Sequence, residues 1–417
     1  MNLLSRTLLG ASLLLSAARA LAQHDAPAWT EARAISRAVT HAPEVRRAVA
    51  LLEESRARRA YAEVPAVGNP TVGVRAMVGV PDLPAATWAL VVGLPFDVAG
   101  ARGRRRGEVE LGEREALARV DVAVNDARHR ARVAWVDLGI AEEALRIAAA
   151  RVETAAEVLQ RVRARAAAQA ATALDVALAE RESATALAER AVAARDRETA
   201  SGRLRDALDL GPTEAVAAPP PPPPELPGGT AAAAVARSAG ALAEPRAFAF
   251  AASRLRASAS RMRAEAVSPL LLSGEVEWQG YAQSSVGVSA QWALPVARTA
   301  QGERAEALAG ARTAALEGEL RARALGREAA AAFEALRYAS EELRALDADA
   351  VPAAERALSL TESLSESGAV EFFRVLSARQ ELAVARGRRL QALREAWRAR
   401  LDLDRATAFD PLSRSAP

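Results

Sequence analysis

Two pairs of strictly alternating segments interrupt a chain whose remaining rhythm is helical. From Thr71 to Val80, Val72, Val74, Ala76, Val78 and Val80 alternate with Thr71, Gly73, Arg75, Met77 and Gly79. A loop, Pro81 to Ala86, leads to Thr87–Phe96, where Trp88, Leu90, Val92 and Leu94 alternate with Thr87, Ala89, Val91 and Gly93. A period of two over roughly ten residues, bounded by Pro and Gly, predicts strands. A lone hairpin between long helices is unstable in water, so it needs a partner. One appears near residue 270. Leu272, Gly274, Val276, Trp278 and Gly280 alternate with Leu271, Ser273, Glu275, Glu277 and Gln279. After a turn at Tyr281 to Ser284, Val286, Val288, Ala290, Trp292 and Leu294 alternate with Ser285, Gly287, Ser289, Gln291 and Ala293. One face is apolar with Trp, and the other is polar with two carboxylates. About ten residues per strand matches the tilted crossing of a bilayer by a β-barrel. The alternative is a small antiparallel sheet packed on helices in a soluble protein.

The rest of the composition suits long, closely packed helices. Hydrophobic residues are 51% of 417, yet most of these are Ala, and aromatics are only 4%. The net charge is +3, and all 55 basic residues are Arg. Both signs of charge are spread along the helices, which describes solvated faces and not a nucleic-acid patch. Residues 1–22 read as a secretory signal peptide: Arg6, an apolar run from Leu8 to Leu15, and a small-residue site at Ala20-Leu21-Ala22. No later segment is an uninterrupted apolar span long enough for a transmembrane helix. Without Cys there is no disulfide and no thiol for a lipid anchor.

The halves echo each other. A first repeat, 23–211, holds a helix interrupted by Pro43, a hairpin at 71–96 and a long helical hairpin at 102–210. Its long arm, about Arg102 to Ala168, would reach on the order of 100 Å at 1.5 Å per residue. A weak break at Gln169 to Thr172 precedes the return arm, which stops at Gly211-Pro212. A Pro-rich linker, 212–229, contains the six-proline run Pro219 to Pro224, stiff and extended. A second repeat, 230–409, holds a helix, a hairpin at 270–296 and a helical hairpin at 301–406, with Pro352 inside its long arm. Matching motifs are Pro43 and Pro245, Asn69-Pro70 and Ser268-Pro269, Leu94-Pro95 and Leu294-Pro295, and Asp175 and Arg374; their offsets are 202, 199, 200 and 199 residues. Residues 410–417 read as a disordered tail.

The layout resembles the TolC-like family of outer-membrane efflux proteins. The carrying residues are Ala42-Pro43-Glu44, Asn69-Pro70, Leu94-Pro95 before Gly100-Ala101-Arg102, the helix starts Leu174-Asp175-Val176 and Arg374-Val375-Leu376, and Leu210-Gly211. In length and in lacking a lipidation cysteine it is most similar to the heavy-metal-efflux branch. The resemblance implies a mainly α fold with a small β part. Long α-helical hairpins would form a periplasmic helical barrel, and four transmembrane β-strands per protomer would join a 12-stranded barrel closed by trimerisation. Its implied partners are outer-membrane lipid, a periplasmic adaptor (membrane fusion) protein and an inner-membrane transporter, with no nucleic acid and no cofactor. Four strands alone cannot close a bacterial barrel, whereas three sets of four can.

No constellation suggests an enzyme. His24, His41 and His129 are far apart, and no His/Cys cluster has metal-ligand spacing. His41 with Glu44 and the lone acid Asp175 read as surface groups, and Gly-Ala-Arg-Gly at 100–103 lacks a phosphate-loop context. The expected function is a passive exit duct, with a periplasmic coiled-coil adaptor or scaffold as the competing class. On the duct reading, Trp88, Leu90, Val92, Val276, Trp278, Val286, Val288 and Trp292 face lipid. Ser273, Glu275, Glu277, Gln279 and Gln291 face the lumen. Gln169, Thr172, Gly368 and Ala369 are adaptor-docking tip candidates. Asp175, Arg374 and Ser377 are candidates for the periplasmic gate, where the acidic residues that the family pattern carries are here Arg374 and Ser377.

Overall fold

The computed structural model describes residues 28–64, 68–77, 87–241, 243–279, 283–294, 299–366 and 372–407. The leader at 1–22, the loop at 81–86, Gly368, Ala369 and the tail at 410–417 lie outside the described residues. In chain order the elements are α1 (Glu31–His41), α2 (Pro43–Glu63), β1 (Thr71–Met77), β2 (Thr87–Phe96), α3 (Ala101–Ala167), α4 (Ala173–Leu208), α5 (Ala231–Ala241), α6 (Ala243–Glu265), β3 (Leu270–Gln279), β4 (Gln283–Gln291), α7 (Gln301–Ala345), a π turn (Leu346–Ala350), α8 (Val351–Glu366) and α9 (Phe372–Thr407). The fold is mainly helical with one small sheet. The chain divides into two compact units, one of residues 47–122 and 242–323, the other of 1–46, 123–241 and 324–417.

The first unit holds the sheet. It is antiparallel, in the order β1-β2-β3-β4. The central pairing joins the two halves of the sequence, from Thr87↔Gln279 to Phe96↔Leu270. The turn from β2 into α3 is built on Asp97. Its Oδ1 accepts from Ala99 N at 3.2 Å and Ala101 N at 3.0 Å, and its Oδ2 accepts from Arg102 N at 2.8 Å. Burial pushes this carboxyl up, but the amides of Arg102, Ala101 and Ala99 outweigh it and hold the acid below its usual range. Gly100, at φ 68°, supplies the left-handed residue the turn requires.

The second unit is helical. Its core gathers Ile140, Leu138, Leu204, Leu208, Trp135 and Leu401 among many small Ala side chains. The Pro-rich stretch is pinned across this core. Trp29 N donates to Ala217 O at 2.8 Å, Trp397 Nε1 to Pro222 O at 2.8 Å, and Arg400 to Glu225 O at 2.6 Å. Gly139 lets the strap approach: a Cβ there would lie 2.4 Å from Pro219 O and 3.0 Å from Pro221 Cδ. Beside it, the buried Arg132 bridges Glu31 at 2.6 Å and Asp404 at 2.8 Å, so its charge is paired.

One seam runs the length of the second long arm. On α7 the buried positions Leu325, Ala329, Ala332, Leu336, Ala339 and Leu343 step by alternating fours and threes. On α8 the half-buried positions Val351, Ala354, Leu358, Thr361 and Ser365 keep the same alternation. The π turn lies between them, just ahead of Pro352, whose missing N–H and ring disfavour a regular turn there.

Candidate functional site

The sheet sorts its side chains into two unlike faces. Directly paired residues of an antiparallel ladder share a face. Trp88 pairs with Ala76 and Trp278, Leu90 with Val74 and Val276, and Val92 with Val72 and Gly274. Val276 pairs onward with Val286, and Gly274 with Val288. These residues therefore form one apolar face across all four strands. The opposite face carries Arg75, Ala89, Val91, Gly93, Leu271, Ser273, Glu275, Glu277, Gly287, Ser289 and Gln291 by the same registers. Gln279 shares it by register. Arg75 and Glu275 approach to 3.8 Å, and Ser285 Oγ lies 3.4 Å from Glu277 Oε2.

On the two central strands the exposures are inverted relative to a water-soluble sheet: Trp88 and Trp278, on the apolar face, are 54% and 46% exposed, whereas Ala89 and Ser273, on the opposite face, are 4% and 7% exposed. β1 and β4 are exposed on both faces. At Gly93 a Cβ would meet Thr71 Oγ1 at 2.5 Å, so the opposite face is crowded at that point. Aromatic rings stand at both ends of the apolar face. Trp88 and Trp278 pair at one end. Phe96 ends β2 at the other, where Trp292, just beyond β4, donates Nε1–H to Ser268 O at 3.0 Å. From Trp88 to Phe96 is roughly 26 Å along the strand, which at a tilt of about 35–45° covers roughly 20 Å of the height of a lipid-facing apolar band between aromatic girdles.

The described tip lies in the helical unit. Gln169 adopts φ 61° in the α3–α4 turn. Thr172 then caps α4: Asp175 N donates to Thr172 Oγ1 at 3.2 Å, and Asp175 Oδ2 accepts from Thr172 N at 2.8 Å. This is a reciprocal capping box. The Thr172 backbone and hydroxyl donors, with Arg165 nearby, hold the Asp175 carboxyl below its ordinary value. Arg374 is exposed and Ser377 half-buried near the start of α9. Arms pair along their length through Arg151 to Glu182 at 2.7 Å, Arg386 to Glu355 at 2.8 Å, and Arg389 to Asp347. Glu44 pairs with Arg130, while His41 Nδ1 meets Thr40 Oγ1 at 2.6 Å. Among the described residues no group of three His, Cys, Asp or Glu side chains could hold a metal, and no helix is long and apolar enough to cross a membrane.

This arrangement recurs in solved structures. A membrane protein from Pseudomonas aeruginosa superposes with a TM-score of 0.74 at 19% identity, over 90% of this chain and 93% of that one. The outer-membrane channel OprN gives 0.71 at 21% identity, over 91% and 90%. The outer membrane protein VceC from Vibrio cholerae gives 0.71 at 16% identity, over 90% and 95%. The fold is TolC-like. No family model and no curated protein sequence matches the chain. The TolC-like fold thus covers nine-tenths of the chain, while few of its side chains coincide with those of the solved channels.

Proposed function

We propose that the chain is one protomer of a trimeric exit duct in the outer membrane of a Gram-negative bacterium. It would passively conduct substrates delivered by an inner-membrane transporter and a periplasmic adaptor. One observation carries this: a four-stranded sheet with an apolar face that its two central strands expose while they shelter the opposite, more polar face. In water such a face would be a liability, but against lipid it is the required one. In the sheet order, the outer edges of β1 and β4 have no neighbouring strand among the described residues. Open edges are not tolerated in hydrocarbon. Three copies supply twelve strands, which closes the ring without an edge. The Trp88, Leu90, Val92, Val276, Trp278, Val286, Val288 and Trp292 face then meets lipid. The Ser273, Glu275, Glu277, Gln279 and Gln291 face lines the lumen.

The two halves act as structural repeats, 23–211 and 230–409, joined by the strap at 212–229. Their matched helix lengths, 11 and 11 residues for α1 and α5, and 36 and 36 for α4 and α9, support this. The turn at Gln169–Thr172 and its counterpart near Gly368 and Ala369 form the adaptor-docking end, with Asp175, Arg374 and Ser377 at the mouth. Conduction of this kind needs no catalytic group and no cofactor.

The test is fractionation with planar-bilayer recording of the purified chain. A duct stays with the outer-membrane fraction through high salt and alkali and gives stepwise conductance. Release by salt or alkali, with no conductance, would identify an adaptor or scaffold instead.

A further inference from the structure

In the unit that holds the sheet, α2, α3 and α6 enclose a cleft of about 300 Å³ lined in part by Arg58, Tyr61, Arg105, Glu108, Arg254 and Arg261. Three of its four arginines are already neutralised. Arg58 holds Glu54 at 2.7 Å, Arg254 holds Glu115 at 2.6 Å, and Arg261 is shared by Glu108 and Glu265. Arg105 is different. Its side chain is 7% exposed, and its nearest carboxylate, Glu265, stands 3.9 Å from Nε, beyond hydrogen-bonding range. Among the described residues its buried Nε and NH2 atoms have no hydrogen-bond partner. The guanidinium carbon lies over the Tyr61 ring at 5.5 Å, which holds the planar group in place without using its donors.

A buried guanidinium with idle donors is costly unless an acceptor arrives. We propose that this cleft binds a phosphate group, whose oxygens would take the Arg105 N–H donors as a fork. Gly112 keeps the floor open, since a Cβ there would already touch Arg254 Cδ at 3.4 Å and Ser55 Oγ at 3.6 Å. The phosphate can come from free phosphate or from a phospholipid headgroup. Arg105 follows Phe96, the last residue of β2, by nine positions, which places it within roughly 25 Å of chain from the end of that strand. The lipid source rests on the outer-membrane reading, but the anion site itself does not.

The experiment is calorimetric titration of the full chain in detergent, with inorganic phosphate in one arm and dihexanoyl-phosphatidylglycerol in the other. Saturable binding is expected in at least one arm. Arg105→Gln should weaken it about tenfold or more, as loss of charge-assisted bonds does. Arg106→Gln, at an exposed neighbour, should leave it intact. Tyr61→Leu, at a side chain open to solvent, should weaken it about two- to fivefold and serves if Arg105→Gln does not fold. Tighter binding of the phospholipid assigns the headgroup, and binding of inorganic phosphate alone assigns the free ion. No saturable binding by the wild type in either arm, or unchanged binding by Arg105→Gln, overturns the proposal. The inorganic arm reads the site even for a chain that fractionates away from the membrane.

Discussion

Val288→Arg is the sharpest probe of which face meets lipid. The β3–β4 ladder runs from Leu271↔Gln291 to Gln279↔Gln283, so its middle pair is Glu275↔Gly287. Val286 and Val288 flank that centre on the apolar face and are its most exposed residues. An Arg at the midplane of a lipid-facing strand costs about 2–4 kcal/mol, falling to about 0–1 near the interface. Val288→Arg should therefore lower the folded-to-unfolded ratio roughly 30- to 700-fold per protomer. Ser284→Arg shares the face but pairs with Trp278 near the ladder's end, so it should cost no more than about 1 kcal/mol. Gly287→Arg is the control on the opposite face. A Cβ there meets nothing within 4 Å, so the side chain can start without a clash. The assay is urea unfolding of the chain folded into phosphatidylcholine vesicles, read by Trp fluorescence and by retention of the unboiled oligomer on gels. If Val288→Arg stays within about 0.5 kcal/mol of wild type, or Gly287→Arg costs as much as Val288→Arg, the lipid-facing assignment fails.

Gly139→Ala should destabilise the helical unit by about 1–3 kcal/mol, read as an earlier thermal transition, because its Cβ meets the backbone oxygen of Pro219, which cannot swing aside. His129 is held below its ordinary pKa by burial and by Arg405, against the opposing pull of Asp402. The unfolded chain binds that proton first, so stability should fall as pH drops below about 6.5; His129→Gln should flatten that part of the pH–stability curve. Thr172→Ala removes one half of the α4 capping box and should cost about 0.5–2 kcal/mol in chemical denaturation. If Arg374 and Asp175 pair at the mouth of a trimer, Arg374→Glu should raise the open fraction in planar bilayers and Asp175→Arg should restore closure. Equal conductance of the single and double variants would leave closure to helix packing.

The elements were legible where one residue decides the local geometry. Pro43, Gly100 and the Gly211-Pro212 pair stop or start helices whatever surrounds them, and the alternation over Thr87–Phe96 and Leu270–Gln279 reads directly as strands that the structure pairs together. Asp175 carries a further readable signal: Thr172 with an acid three residues on is a capping-box spacing, and the structure forms that box. What stayed hidden depends on neighbours distant in sequence. Nothing near Gly139 signals that Pro219 will lie against it, and nothing near Arg105 tells it apart from Arg104 and Arg106. Its orphaned donors exist only because α2 and α6 close over that turn of α3 and bring too few acceptors. The Pro-rich run likewise reads as a spacer until Trp29, Trp397 and Arg400 are seen to hold its carbonyls.

The π turn at Leu346–Ala350 sets an unequal tolerance to length. Continuing the fours and threes of α7 beyond Leu343 would put seam positions at 350, 353, 357, 360 and 364. The half-buried residues are instead Val351, Ala354, Leu358, Thr361 and Ser365, each one position later, with Pro352 and Glu362 beside them. The second long arm thus contains one residue more than its seam uses, and the π turn absorbs the surplus in a single wide loop of backbone. Deleting one residue there, such as Ala348, would leave every seam position on its side of the helix. The first long arm, α3, is unbroken from Ala101 to Ala167, so the same deletion in its middle would swing everything beyond it by about 100°. Single-residue length changes should therefore survive in one arm and scramble the other.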